Sequence, residues 1–143
     1  MANFAERLKE FLYESHKDIK EFAVLWNVDL SEIYSWLRNE CLPNCSNITK
    51  IADCFECSVE YLLGRKETEY EFKAKTDRKT FSQKFNEVLT ENKVTEYRFV
   101  KDTGLSRDKV SSWRKGIRLP KISSLVVISS YFGITIDYLL DRE

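Results

Sequence analysis

The sequence predicts an all-α protein built from two tandem five-helix units joined by a linker. Apolar residues recur three and four positions apart, which places them on one face of a helix, and capping residues or glycines stand at the ends of these stretches. The second half of the chain also repeats the first at a constant offset of 77 positions. Of the residues in 1–66, 16 are identical to their partners in 78–143, which indicates a duplicated structural unit.

The offset divides the 143 residues into a first unit at 1–65, a linker at 66–79 and a second unit at 80–143. Each unit is near the lower size limit for an independent hydrophobic core. No apolar run is long enough to cross a membrane, and the N-terminal MANFAERLKEF is charged and amphipathic rather than a secretory signal. These features predict a cytoplasmic protein without membrane contact.

The helices are expected at equivalent places in the two units. Helical spacing of apolar residues defines the first and fourth helices, and a capping side chain marks the start of each second helix. The starts are near Asn3 and Thr80 for the first helices, Asp18 and Thr95 for the second, and Ser46 and Ser123 for the fourth, with VEYLL and IDYLL as the fifth helices.

The third helix of the second unit lies in TGLSRDKVSSWRKGIRLPK, residues 103–121. Gly104 supplies the left-handed backbone of a turn between two helices, and Ser106 is placed to cap the helix that follows. Gly116 ends that helix. Val110 and Trp113 are three residues apart and form its apolar face, so this tryptophan is expected in the core.

The first unit carries a degenerate copy of this stretch, WNVDLSEIYSWLRNECLPN at 26–44. Asn27 and Asn39 replace two of the glycines, and asparagine tolerates positive φ, so the turns are expected to persist. Glu56, opposite a glycine of the second unit, does not fit this pattern. The sequence leaves open whether Trp26 fills the core or marks a surface contact.

The linker segment GRKETEYEFKAKTDRKT, residues 64–80, shows no capping pattern. Tyr70, Phe72 and Ala74 alternate with charged residues, which allows a short strand. Such a strand could equally pair with the same segment of a second chain, so the linker is a candidate dimer contact.

Charge differs between the two units although the net charge of the chain is zero. Residues 1–66 hold 8 Lys/Arg against 11 Asp/Glu, residues 67–77 hold 2 against 4, and residues 78–143 hold 13 against 8. A basic second unit suits a polyanion and an acidic first unit does not, which predicts different roles. Ordinary solvated surfaces are the alternative. Five cations cluster within twelve residues of the second unit: Arg107, Lys109, Arg114, Lys115 and Arg118.

All four cysteines lie in the first unit, and their C-x3-C and C-x2-C spacing raises the possibility of a zinc site. Cys45 and Cys57 stand opposite isoleucines of the second unit, so they fit better as small core hydrophobes. Twelve residues at a rise of about 1.5 Å put these two roughly 18 Å apart, too far to share an ion. Neither a metal site nor a disulfide is expected. The remaining cysteines are Cys41 and Cys54.

FVKDTGLSRDKVSSWRKGIRLPK and, more weakly, FAVLWNVDLSEIYSWLRNECLPN resemble the Cro/CI-type helix-turn-helix family. The pattern of that family is L-A-x-x-x-G-[LV]-S-x-x-x-[IV]-S-x-[WI]-x-x-G-x-x-x-P. The resemblance covers both repeats, about 120 of the 143 residues. It implies two lambda-repressor-like five-helix bundles and a third helix that enters the major groove of double-stranded DNA.

The resemblance implies DNA contacts in the second unit. Arg107 can present its guanidinium to guanine O6 and N7, whereas Lys115 and Arg118 suit phosphate oxygens. Asp108 would repel the backbone, and could accept from a cytosine amine or hold Arg107. Helix two opens with Glu96 where the family usually has a DNA-contacting glutamine. The implied contact residues are Ser106, Arg107, Asp108, Lys109, Ser112, Lys115 and Arg118.

The matching surface of the first unit is acidic. Glu32 and Glu40 flank its third helix, so a duplex would meet more negative than positive charge there. We therefore expect the first unit to serve self-association or to bind a protein partner. The residues that match the family's contact positions are Asp29, Leu30, Ser31, Ser35, Arg38 and Cys41.

The sequence thus predicts a sequence-specific transcriptional regulator, a repressor or an activator, that reads DNA through its second unit. A palindromic site would imply a homodimer. The alternatives are an adaptor or antirepressor that binds no DNA, and a single-chain pseudo-dimer on two unlike half-sites. With one histidine, His16, and no nucleophile–base pair or phosphate loop, neither an enzyme nor a cofactor is expected.

Overall fold

The computed structural model describes residues 2–69 and 71–143, which form helices and connecting segments without a β-strand. The chain divides into two compact units, Met1–Ala74 and Lys75–Glu143. The first contains α1 (Phe4–Ser15), α2 (Ile19–Trp26), α3 (Leu30–Leu37), α4 (Cys45–Cys54) and α5 (Val59–Leu62). The second contains α6 (Phe81–Glu91), α7 (Glu96–Thr103), α8 (Arg107–Lys115), α9 (Ile122–Phe132) and α10 (Ile136–Leu139).

The capping side chains predicted for the second helix of each unit are in place. Asp18 accepts from the Lys20 backbone N–H at 3.1 Å, and Thr95 accepts from the Arg98 N–H at 3.1 Å. In contrast, α4 and α9 begin one residue earlier than predicted. Most helix starts are therefore fixed by hydrogen bonds that first-turn N–H groups donate to the side chain of the preceding residue, as expected because these N–H groups have no partner within the helix.

Left-handed backbone recurs at the same offset as the sequence identities. Every described residue with φ between 52° and 77° has a partner with left-handed φ 77 positions away. The pairs are His16 and Lys93, Asn27 and Gly104, Asn39 and Gly116, Glu56 and Gly133, and Gly64 and Asp141. Glu56 adopts this geometry although it is not glycine or asparagine, so the turn persists where the residue type predicted a departure.

The core of the first unit is rich in aromatic rings. Trp26, whose position the sequence left open, is only 1% exposed and lies among Phe22, Trp36 and Phe55 at ring-centroid distances of 5.0, 6.5 and 5.9 Å. It fills the core and is not a surface contact. Contacts between aromatic rings of this kind add to the free energy gained from burial.

The core of the second unit is centred on Phe85, which contacts Phe99 edge-on at 5.4 Å and Trp113 at 6.2 Å. Trp113 is buried, as its spacing from Val110 predicted, and α8 packs against both α6 and α7. This packing leaves the opposite face of α8 toward solvent.

The linker is held at each end by the unit next to it. At its far end the Lys79 N–H donates to Asp141 Oδ2 at 2.8 Å. Arg7 of α1 donates to the carbonyl oxygens of Lys66 and Glu67 at 2.8 and 3.4 Å, and Glu69 accepts from the Ser58 N–H at 2.9 Å. The short strand considered for this segment is not present in residues 64–69 and 71–80. Tyr70, on which the alternation also rested, lies outside the described residues.

Cys45 and Cys57 are buried core residues, as their alignment with isoleucines predicted. Burial raises the pKa of the Cys45 thiol to about 11, so this thiol stays protonated at neutral pH. Within residues 2–69 and 71–143, no group of His, Cys, Asp and Glu is placed to hold a metal ion. In the same residues no helix has the length and hydropathy needed to span a membrane.

Candidate nucleic-acid interface

The third helix of the second unit, α8, is fixed at both ends by its own sequence. Ser106 adopts extended backbone and accepts from the Lys109 N–H at 3.4 Å. Gly116 adopts φ 75° and ends the helix. Its backbone N–H donates to the carbonyl oxygens of Ser112 and Trp113 in the last turn. The helix therefore starts and stops where the sequence predicted.

The outward face of α8 follows from the positions of its two buried residues. At about 100° per residue, the direction opposite Val110 and Trp113 falls among Asp108, Ser111 and Lys115. Ser112 lies close to this direction and is half-buried, whereas Arg107 and Lys109 fall toward the two edges of the face. The outward face therefore has Asp108 and Lys115 at its centre, the hydroxyls of Ser111 and Ser112 on either side, and further cations at its edges.

Four predicted contact cations are exposed and free of internal ion pairs. In the part of the chain that the structure describes, no carboxylate lies within 4.0 Å of any of them. Three of them lie on α8, and the fourth, Arg118, lies in the loop beyond Gly116. Their charges are available to a ligand. The four cations are Arg107, Lys109, Lys115 and Arg118.

Arg114 departs from the predicted cluster of five cations because it is engaged inside the unit. Its Nε donates to Asn86 Oδ1 at 2.7 Å, and its Nη1 lies 3.4 Å from Glu96 Oε1. Its backbone carbonyl accepts from Ser82 Oγ at 2.7 Å and from Asn86 Nδ2 at 2.9 Å. These contacts join the end of α8 to α6 and α7. We call Asn86, Glu96 and Arg114 the clamp.

The clamp belongs to the second unit alone. At the equivalent positions 77 residues earlier the first unit has Lys9, Ile19 and Leu37, and these side chains cannot form the same hydrogen bonds. Glu96 thus pairs with Arg114 in the second unit, whereas the first unit has the aliphatic residues Ile19 and Leu37 at the two equivalent positions.

An open pocket of about 310 Å³ lies beside the clamp and is lined by Ser111 and Lys115 together with the three clamp residues. Reasoning from the sequence did not include Ser111 among the contact residues. The i, i+4, i+8 series of Arg107, Ser111 and Lys115 on one stripe of α8 is the signal that could have identified it.

The equivalent face of the first unit has little free positive charge. Arg38, its only cation at a matching contact position, pairs with Glu40 at 2.8 Å, and this pairing lowers the pKa of the Glu40 carboxyl. Asp29 precedes α3 but makes no side-chain capping hydrogen bond, so its carboxylate remains exposed. Tyr34 adds an exposed aromatic ring where α8 has a serine.

The first unit also exposes apolar side chains on α2. Val24 is 83% exposed and Leu25 is 63% exposed. The second unit has Lys101 and Asp102 at these positions, and Asp102 accepts from the Tyr131 hydroxyl at 2.6 Å. Two adjacent exposed aliphatic residues in one unit and two charged residues in the other indicate different surroundings for the two surfaces.

Comparison with known proteins finds a family similarity within the second unit. Residues 84–143 match the family model of the Cro/C1-type HTH DNA-binding domain. The HTH-type transcriptional activator BcrR of Enterococcus faecalis is 33% identical over 63 residues, which cover 44% of this chain and 31% of that protein. An uncharacterized HTH-type transcriptional regulator of Haemophilus influenzae is 40% identical over 60 residues, 42% of this chain and 25% of that protein.

These similarities are confined to about a third or less of the length of each relative. No solved structure matches the chain. The predicted Cro/CI-type resemblance is thus confirmed for one domain, at residues 84–143, and the family model does not match a second copy.

Proposed function

We propose that this chain is a sequence-specific DNA-binding transcriptional regulator whose α8 enters the major groove of a duplex. The observation that carries the proposal is the set of exposed cations without ion pairs on α8 and its following loop, within the residues that the structure describes. The match of residues 84–143 to a Cro/C1-type DNA-binding domain supports it. So do the names of the two relatives, both HTH-type transcriptional proteins.

In this proposal the residues of α8 divide by chemistry. Arg107 reads a guanine edge with its two-pronged guanidinium, and Ser112 offers a short hydroxyl donor or acceptor to a neighbouring base. Lys115 and Arg118, at the end of α8 and beyond it, neutralise phosphates and fix the orientation of the helix. Asp108 accepts from a cytosine amine. Lys109 and Ser106 complete the contact surface at the first turn.

The first unit is, in the same proposal, a divergent copy of the second that serves association rather than base reading. The repetition of left-handed residues at the 77-residue offset supports common ancestry of the two backbones. The exposed pair Val24 and Leu25, and the ion pair that neutralises Arg38, support a surface for protein rather than for DNA. Association of two chains would supply two copies of α8 to a palindromic site.

Salt-dependent binding of the full chain to duplex DNA tests the proposal. A pool of random duplexes is first selected for binding, and the affinity of a selected duplex is then compared with that of a shuffled one between about 50 and 200 mM salt. We expect both affinities to fall with salt and the selected duplex to bind at least about a thousandfold more tightly.

The adaptor or antirepressor hypothesis predicts the opposite result. A protein of that kind would bind both duplexes more weakly than ordinary non-specific DNA-binding proteins do, because its acidic unit would repel the phosphates. Equal affinities for the selected and the shuffled duplex would show that the protein binds DNA non-specifically and would rule out sequence reading.

A further inference from the structure

We infer that the pocket beside the clamp binds a phosphate group of the DNA backbone through Arg114 and Lys115, and that Glu96 competes with that phosphate for Arg114. The inference rests on the proposed function. It adds a binding site and a restraint on that site within the second unit.

The two acceptors of Arg114 hold it unequally. The hydrogen bond from Nε to Asn86 Oδ1 is short, at 2.7 Å, whereas the contact of Nη1 with Glu96 Oε1 is 3.4 Å long. A guanidinium has five N–H donors in a fixed plane. Asn86 therefore fixes the direction of the side chain, and the outer nitrogens remain open to a better acceptor.

The pocket contains further groups that suit a phosphate. Lys115 brings a second positive charge, and the Ser111 hydroxyl is a donor on the same stripe of α8. A phosphate oxygen pair matches the planar fork of Arg114 more closely than a single carboxylate oxygen at 3.4 Å. The opening of the pocket to solvent allows a backbone group to enter it from outside.

Glu96 is a weak internal partner, so it can be displaced. The Arg114 and Glu96 side chains are 40% and 29% exposed, and ion pairs with this much exposure contribute little to stability. The displaced carboxylate would stay close to the incoming phosphate and repel it. Glu96 is therefore expected to reduce DNA affinity while it leaves the fold intact.

The Glu96→Gln substitution tests the inference because it removes the charge and preserves the shape and hydrogen-bonding capacity. We expect the full-length variant to bind the selected duplex about threefold to tenfold more tightly than the wild type. The slope of log K against log salt should steepen by about one, since one more cation becomes free for a phosphate. The double variant Glu96→Gln with Arg114→Gln should lose both gains.

Glu91→Gln is the matched control, because it changes the net charge equally at an exposed position of α6 outside the pocket. It should alter affinity by less than about twofold and leave the salt slope unchanged. A purely structural role of Glu96 predicts a lower Tm, weaker DNA binding and an unchanged slope for Glu96→Gln, which would overturn the inference.

The source of the phosphate is tested by NMR of the Arg114 side-chain Nε–H resonance. Addition of duplex DNA should shift it, whereas inorganic phosphate at the same ionic strength should leave it in place. An equal shift with inorganic phosphate would assign the pocket to small anions and overturn the DNA assignment. Equal affinities and salt slopes for wild type and Glu96→Gln would overturn this inference alone, and absence of binding by both would overturn the proposed function as well.

Discussion

Arg107 and Lys115 lie on the same exposed helix but differ in the information that their contacts carry. A guanidinium can bind two acceptors of one base, whereas an ammonium on a flexible stem acts as a point charge toward phosphate. In the described residues neither side chain has an acidic partner that a ligand would have to displace. Substitution of either residue is therefore expected to report on the ligand and not on the fold.

Arg107→Ala should relax the preference for one base pair of the selected duplex at a cost of about 1 to 3 kcal/mol. Lys115→Ala should weaken binding to all duplexes and reduce the salt slope by about one. Fluorescence anisotropy on single-base variants of the duplex measures both effects. Lys101→Ala, at an exposed position of α7, is the control and should change neither the base preference nor the salt slope. If Arg107→Ala and Lys115→Ala lost the same affinity on every duplex, base reading by Arg107 would be contradicted.

Asp141 is a buried carboxylate that connects the chain before α6 to the end of the second unit. It accepts from the Lys79 backbone N–H at 2.8 Å and from Lys75 Nζ at 2.9 Å, and Lys84 Nζ lies 3.5 Å away. The hydrogen bond from the Lys79 backbone, followed by that from Lys75, lowers the pKa of Asp141 to about 2. Because its pKa is lowered, Asp141 is ionised in the folded protein at neutral pH, and these hydrogen bonds are made to the ionised carboxylate.

The lowered pKa predicts a loss of stability in acid. A carboxyl group with an unfolded pKa of about 3.9 contributes fully above that value, and the contribution disappears as the pH falls through about 2. Asp141→Asn, which tolerates the left-handed backbone there, should cost about 1.5 to 3 kcal/mol at pH 7. Urea unfolding should show this difference narrowing between about pH 4 and pH 2, and a constant difference would contradict the assignment.

At the scale of the helices, the turn between α7 and α8 depends on a residue that accepts left-handed backbone. Gly104 has φ 72°, and a Cβ added there would meet no other atom within 4 Å. Asn27 holds the same turn in the first unit with φ 53°. A side chain added at this turn would therefore lower stability through the cost of left-handed backbone and not through a clash with neighbouring atoms.

Gly104→Ala should destabilise the second unit by about 1 to 2 kcal/mol, the cost of left-handed backbone for an alanine. Asn27→Gly at the matching turn should change the stability of the first unit by less than about 0.5 kcal/mol. Hydrogen exchange of the most protected amides resolves the two units separately. Equal losses in both variants would show that the turns do not depend on left-handed backbone alone.

At the scale of the whole molecule, the two units differ in the surfaces that they present. The exposed aliphatic pair Val24 and Leu25 occupies positions that are charged in the second unit. Contiguous exposed apolar residues are typical of surfaces that bind other proteins. This difference is the basis for the proposal that the first unit serves association.

Replacement of both residues by their counterparts, Val24→Lys with Leu25→Asp, tests that assignment. Because both side chains are exposed, the fold should be retained, while the dissociation constant for self-association should rise about tenfold or more. Sedimentation velocity over a range of concentrations measures it. Exposed Tyr97 on α7 is the control, since Tyr97→Ser changes a comparable surface of the second unit. An unchanged association constant for the double variant would exclude this face.

Most helices, several of their caps and the left-handed turns between them could be predicted from the sequence, because each depends on residues that are close together along the chain. Ser106 and Gly116 bracket α8 as expected, and the 77-residue offset located the equivalent left-handed turns. Burial of Val110 and Trp113 also followed from spacing alone, since three residues along a helix return to the same side.

Contacts between polar groups that are distant along the chain could not be predicted from the sequence. Arg114 was counted from the sequence in a cluster of five cations, but Asn86, 28 residues away, and Glu96 hold it. The burial of Trp26 likewise depended on the rings of Trp36 and Phe55, which lie outside its own helix, and the attachment of the linker depended on Arg7 and Asp141. Residues so far apart meet only after packing has fixed the helix positions, so no local periodicity could have revealed these contacts.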